Sequence, residues 1–249
     1  MNVYKADLHT HTLLSPCGDL DMTPGSIIHL ALQQGVDIIG ITDHNSTLHC
    51  KLAEKQAHNR DIFVLCGAEV TTKEEAHCLA FFPDHDTLDA FQHFLDEKLP
   101  DVPNSPDFFG DQVQIDEEMN IVYEELRLLT SALACSIEEV SAKVHELRGI
   151  FIPAHIDKSR SSVLSQLGFI PPDLQYEAIE LSAHGKREDI LQNHPYLAQK
   201  SMIRSSDAHQ PDLVGTTCCY FHIPTRNFEE IRKALLREEG RYVTMDCEL

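Results

Sequence analysis

Histidine and carboxylate side chains recur where short apolar runs of this 249-residue chain end. The first run closes on Asp7-Leu8-His9-Thr10-His11. Alternation in extended backbone puts His9 and His11 on one face, so two imidazoles can reach one cation. A single pair of this kind says little, because a lone histidine is often only a satisfied polar group. Here the arrangement repeats. Ile38 to Thr42 leads into Asp43-His44, and Val64 to Ala68 leads into Glu69. His77 precedes the run from Cys78, His155 follows Pro153, and Asp207 and His209 follow the run ending at Ser205. Histidines scattered over a surface would not keep that phase.

Imidazole with carboxylate, without an organised thiolate set, suits zinc, manganese or iron. So many ligands exceed the needs of one ion. A carboxylate among mostly neutral imidazoles can bridge two cations, and Glu69 is the natural candidate. Cations held close together lower the pKa of a shared water and neutralise phosphate oxygens during in-line attack. That chemistry points to hydrolysis of phosphate esters by a metal-bound hydroxide. Lys158 and Arg160 follow His155, where a cation could grip a nonbridging phosphate oxygen or simply be solvated. Asp43 either orients a ligand imidazole through a hydrogen bond or ends its strand. Alternation does not decide whether Arg204 faces the site.

The elements that must position these groups alternate β-rich runs with helical segments, which predicts a parallel α/β protein with ligands at the C-terminal strand ends. Thr23 is a candidate N-cap with Pro24 at the first helical position, and Gln34-Gly35 supplies the stop. Ser136 and Glu139 form a capping-box pattern ahead of Gly149. The segment 99–120 is richer in proline, carries Phe108-Phe109 and ends in the acidic patch Asp116 to Glu118. It reads as an insertion in a single domain spanning 1–249, either a lid or a passive surface loop.

Forty acidic against twenty basic residues give a formal charge of −20. Such a surface repels polyanions, so long duplex nucleic acid is not expected as a partner, although bound cations would make one cleft locally positive. The eight cysteines lack paired metal or redox spacing, no signal peptide precedes them, and no apolar run reaches a membrane-spanning length. Reduced thiols in the cytoplasm are the expectation.

Taken in order, Asp7 to His11, Thr42-Asp43-His44, Glu69 with His77, Pro153-Ala154-His155 and Ser206-Asp207-Ala208-His209 resemble the polymerase and histidinol phosphatase (PHP) family. Among its branches the stand-alone phosphoesterases are most similar, since no polymerase region follows. The resemblance implies a distorted (β/α)7 TIM-like barrel, with the insertion between its fourth and fifth strands, and two or three divalent ions. It implies His9, His11, Glu69 and Asp207 on one ion, Glu69, His77 and His155 on a second, and His44 with His209 on a third. The remaining ligand of the third ion is Asp19, or Cys17 in its place, from a loop longer than the family's short form. Asp19 alternatively caps a turn beside Gly18. The implied substrate is a phosphomonoester or nucleotide. The alternatives are an exonuclease acting on short single-stranded oligonucleotides and a non-catalytic module stabilised by metal.

Overall fold

Local signals place the elements much as the sequence predicts. The Thr23 hydroxyl accepts from Ser26 N and Pro24 opens the helix Pro24–Gln33. Ser136 and Glu139 complete a reciprocal capping box on the helix Ile137–Glu146. In a computed structural model describing residues 1–246, the strands are β1 (Asn2–Asp7), β2 (Ile38–Ile41), β3 (Phe63–Thr71), β4 (His77–Phe81), β5 (Val113–Ile115), β6 (Ile121–Glu124), β7 (Ile150–Pro153), β8 (Ala178–Leu181), β9 (Ser201–Arg204), β10 (Cys219–Ile223) and β11 (Tyr242–Thr244).

The main sheet has the order β11-β10-β1-β2-β3-β4-β7, and β8 pairs with β9. Strands β1, β2 and β3 are parallel. The barrel is distorted from a parallel one at β4, which is antiparallel to both β3 and β7, and β10 outside it is antiparallel to β1. The reason is chain length. Only residues 72–76 separate β3 from β4, and a parallel return needs a crossover of about a dozen residues or more. The reversal puts the start of β4 at the rim where β3 ends, with Thr71 opposite His77. His77 therefore joins the strand-end ligands from the other direction.

The ring closes through scattered backbone bonds. Glu177 N donates to Phe151 O and Ile156 N to Glu180 O, linking β7 to β8. His11 N donates to Ala208 O, and Ala208 N to His9 O, linking the end of β9 to the end of β1. Seven strands, β1 to β4 and β7 to β9, thus form a distorted barrel closed at the rim, while β1 pairs with β10 from Asn2 to Ala6. Leu65, Leu79, Phe81, Ile150, Ile152 and Ile203 fill the interior. Ile39, Val64, Phe151, Ile179 and Met202 pack outward against the helices. Each such side chain contributes about 1.5–3 kcal/mol through removal from water.

Ala6 and Leu8 belong to the interior, so strict alternation would send His9 and His11 outward. The chain breaks phase just after β1. There the Leu8 carbonyl leans over Gly40, where a Cβ would lie 2.2 Å from Leu8 O. Gly40→Ala is expected to push Leu8 and both histidines off position. It should cost about 2–3 kcal/mol and lower the melting temperature by roughly 5–10 °C, with weaker cation uptake. Thermal denaturation with and without added cation measures both effects.

The segment 99–120 runs into a hairpin, β5 with β6, whose second strand, Ile121–Glu124, lies just beyond the expected bounds of the insertion. Val113 and Ile115 pack on Leu13, with Leu52 alongside, so the hairpin covers the loop that follows the first histidine pair. No helix among the described residues is long and apolar enough to cross a membrane.

Candidate metal centre

Glu69, near the end of β3 and only 1% exposed, is ringed by five imidazoles. Its Oε1 lies 3.3 Å from His9 Nε2, 2.8 Å from His77 Nδ1 and 3.0 Å from His155 Nε2. Its Oε2 lies 3.3 Å from His11 Nε2 and 3.1 Å from His44 Nδ1. Asp207 Oδ1 is 3.4 Å from both His9 Nε2 and His11 Nε2. The His9 and His11 Nε2 atoms are themselves 3.1 Å apart.

Three sets of donor atoms lie close enough together to share one ion, each within 4.8 Å: His9, His11, Glu69 and Asp207; His44, Glu69 and His77; and His11, His44 and His209. The donor types and spacing fit divalent cations. His44 Nδ1, though 3.1 Å from Glu69 Oε2, makes no well-aligned hydrogen bond and is free to face a cation. The first set matches the grouping implied by the sequence. Elsewhere the allocation differs, because His44 lies in both remaining sets and His155 approaches only through Glu69 Oε1. Asp19 does not bring its carboxylate to His44 and His209. Its side chain is exposed, its Oδ1 accepts from Asp21 N, and only its backbone N reaches His209 O. The extended loop turns there, and Asp19 caps the turn. Cys17 is likewise exposed and outside all three sets.

Two ligands reach the rim through left-handed backbone, His155 with φ 28° and Asp207 with φ 52°. Such conformations cost about 1–3 kcal/mol in non-glycine residues and gather at functional sites.

Behind the ligands lies a buried polar network. Asp43 accepts from Thr12 N at 2.7 Å, Thr12 Oγ1 at 2.8 Å and Ser15 Oγ at 2.7 Å. Ser15 Oγ is 3.1 Å from His11 Nδ1 and accepts from His44 N at 3.1 Å. The side chain of Asp43 thus orients ligands through Ser15. His49 Nε2 accepts from Ile115 N of the hairpin, and its Nδ1 is 2.6 Å from Thr12 Oγ1. Burial pushes the His49 pKa down, which keeps the ring neutral with one donor and one acceptor. The insertion is therefore tied by hydrogen bonds to the loop that carries the ligands.

Thr12, Ser15, His49 and Glu180 were not legible as site residues. The first three sit in irregular chain without periodicity. Glu180 left one signal, a lone carboxylate in phase with interior Ala178 of β8. Arg204 faces a different cavity, beside Lys5 and Cys218.

The charges around the centre are strongly coupled. Burial works against the ionised Glu69, yet His77, His9 and His44 hold its carboxyl well below the usual range. Burial likewise opposes ionisation of Asp207, and His9 and His11 overcome it. Burial and then His11 push His44 well down and His209 to about 4, so both rings are neutral donors. His9 goes the other way. Burial opposes its protonation, but Glu180, Glu69 and Asp207 outweigh burial and raise its pKa well above 6.5. His11 is raised against burial by hydrogen bonds to Asp207 and Glu69. A cation must displace these protons. Affinity is therefore expected to rise with pH through the ordinary histidine range and beyond it, because the protons on His9 and His11 are held more tightly than on a free imidazole, with proton release on uptake. Calorimetric titration in buffers of different ionisation enthalpy measures this, and a pH-independent affinity without proton release would contradict it.

A cavity of about 220 Å³ opens above the cluster, and Lys158, Arg160 and Ser161 line it together with the ligand side chains. Lys158 Nζ pairs with Asp207 Oδ2, an interaction that raises its pKa against the effect of burial. Arg160 is exposed.

A distorted barrel with clustered histidines and carboxylates at its rim defines a class of strand-end metal-binding proteins. The PHP domain model matches residues 7–160, and the chain belongs to that family. The uncharacterized protein YqxK of Bacillus subtilis is 22% identical over 98% of this chain and 64% of its own length. Among solved structures, the lesion-specific endonuclease Q of Pyrococcus furiosus superposes with TM-score 0.76 at 21% identity, over 97% of this chain and 58% of that one. Endonuclease Q bound to a 27-mer duplex with an abasic lesion gives 0.72. A Bifidobacterium adolescentis protein assigned as a metal-dependent phosphoesterase gives 0.57 at 20% identity, over 94% and 96% of the two chains. These likenesses establish the fold. This chain spans about three-fifths of the length of YqxK and of endonuclease Q.

Proposed function

We propose that the chain hydrolyses phosphoester bonds at two or three divalent cations held by His9, His11, His44, Glu69, His77, His155, Asp207 and His209. The observation that carries this reading is Glu69, whose two oxygens each face a different set of imidazoles at the floor of an open cavity. Zinc, manganese or iron bound there would polarise the phosphate and supply an activated water near neutral pH. The chain's own residues do the rest. Glu69 and Asp207 balance the cationic charge, Ser15 and Asp43 fix the His11 ring, and Lys158 and Arg160 present cationic groups to nonbridging oxygens. Of these two, Arg160 takes the substrate-orienting role more directly, because Lys158 already pairs with Asp207. A non-catalytic module is disfavoured because all eight of these histidines and carboxylates are present and gathered around Glu69 and Asp207.

The cavity of about 220 Å³ suits a terminal phosphate, which favours phosphomonoesters and nucleotides as substrates within a single domain. Strand cleavage is the second reading, favoured by the fold shared with endonuclease Q. The expectation that long duplexes are excluded rests on net charge alone and draws no support from that neighbour. Placement in the cytoplasm rests on the cysteines, all free thiols among the described residues.

The test is a screen of purified protein with Mn²⁺ or Zn²⁺ against phosphomonoesters, cyclic and 3′,5′-bisphosphate nucleotides, short oligonucleotides and lesion-bearing duplex. Turnover is expected for at least one class, with Arg160→Ala raising KM about tenfold while metal content stays unchanged. No turnover on any substrate despite bound cations would overturn the reading.

A further inference from the structure

Glu180 in β8 is 2% exposed and lies in an otherwise apolar strand, yet it serves two separate parts of the cluster. Its Oε2 is 3.0 Å from His9 Nδ1 and accepts from His155 N at 3.1 Å. The backbone carbonyl of the same residue accepts from Ile156 N at 2.9 Å. One residue thus clamps two successive amides just where β7 ends and the backbone enters the left-handed region at His155. His9 faces His11, Glu69 and Asp207, whereas His155 reaches Glu69 from the β7 side.

Building on the metal-centre reading above, we propose that Glu180 is a positioning residue that couples the His9 and His155 sides of the cluster behind Glu69. An imidazole presents only one ring nitrogen to a cation, and the partner of the other nitrogen selects which. A carboxylate at His9 Nδ1 holds the proton there and leaves Nε2 directed at Glu69 and Asp207. The bond to His155 N does a different task. It secures the left-handed turn that swings the His155 ring inward, since Ala154, the preceding residue, already points into the interior and extended alternation would turn His155 away. Both effects need an acceptor oxygen at this position, and neither needs its charge. The second oxygen, Oε1, is buried without a partner, so an amide nitrogen can take its place without breaking a bond.

Glu180→Gln and Glu180→Ala separate this role from a merely structural one. Affinity for Zn²⁺ by chelator competition is expected to fall about 10–100-fold in Glu180→Ala, affecting two bound ions together. It should stay within about threefold of wild type in Glu180→Gln, because the conservative variant rescues both hydrogen bonds. In the zinc-loaded wild-type protein, long-range proton–nitrogen correlation should find the His9 proton on Nδ1. The inference is overturned by wild-type zinc affinity in Glu180→Ala, by equal losses in both variants, or by a His9 proton on Nε2. If Glu180→Ala does not fold, the Glu180→Gln affinity and the wild-type His9 tautomer decide. Wild-type protein that takes up no cation sinks both this inference and the metal-centre reading, whereas zinc uptake that is indifferent to Glu180 sinks this inference alone.

Discussion

Glu69→Gln is expected to abolish phosphoester hydrolysis, lowering kcat on the order of 10³-fold or about 4 kcal/mol in barrier, and to reduce occupancy at two cation positions together. Glu69 is the residue common to the His9, His11 and Asp207 set and the His44 and His77 set, its Oε1 nearest His9, His77 and His155 and its Oε2 nearest His11 and His44. An amide keeps one acceptor but turns an NH₂ group toward the other set. It also removes the negative charge that offsets the cations in a buried site, where such charge is costly to leave uncompensated. Metal analysis by mass spectrometry on the variant checks the claim. Loss of one ion with the other retained at full occupancy would contradict the bridging role.

Asp43→Ala is expected to lower stability by about 3–4 kcal/mol, which for a chain of this size means a melting temperature lower by roughly 8–15 °C. The residue is 1% exposed, and its removal strands Thr12 N, Thr12 Oγ1 and Ser15 Oγ in the interior without their acceptor. Because Ser15 also meets His11 Nδ1 and His44 N, cation affinity should fall along with stability. Asp43→Asn, which keeps one acceptor oxygen, should lie between the two. Thermal denaturation paired with zinc titration measures both quantities. An alanine variant that melts with the wild type would show that water replaces the carboxylate and that the network does not hold the loop.

The ligands were legible in the sequence because the barrel forces a simple geometry. Strands that end together place whatever follows them together, and apolar runs mark strands plainly. His44, Glu69 and Asp207 were readable on that basis, and His77 was readable once its run was seen to start, not end, with the histidine. The direction of β4 was also implicit, since five residues between β3 and β4 leave no room for a crossover. What the periodicity could not carry lies where the chain departs from regular backbone. The break of phase at Leu8, the left-handed turns at His155 and Asp207, and the fold of the loop from Leu13 to Asp21 all depend on distant contacts. Asp19 lies in that loop, where its carboxylate accepts from Asp21 N and stands outside the three donor sets. The inserted hairpin was visible only as a change of composition. Its bond from Ile115 N to His49 links residues far apart in sequence and leaves no periodic trace.

Anomalous X-ray scattering from crystals equilibrated with Zn²⁺ tests the central claim most directly. The account predicts at least two zinc peaks beside Glu69, one among His9, His11 and Asp207 and the other among His44 and His77, the groupings that the donor atoms form. A single peak, or zinc bound away from Glu69, would contradict it.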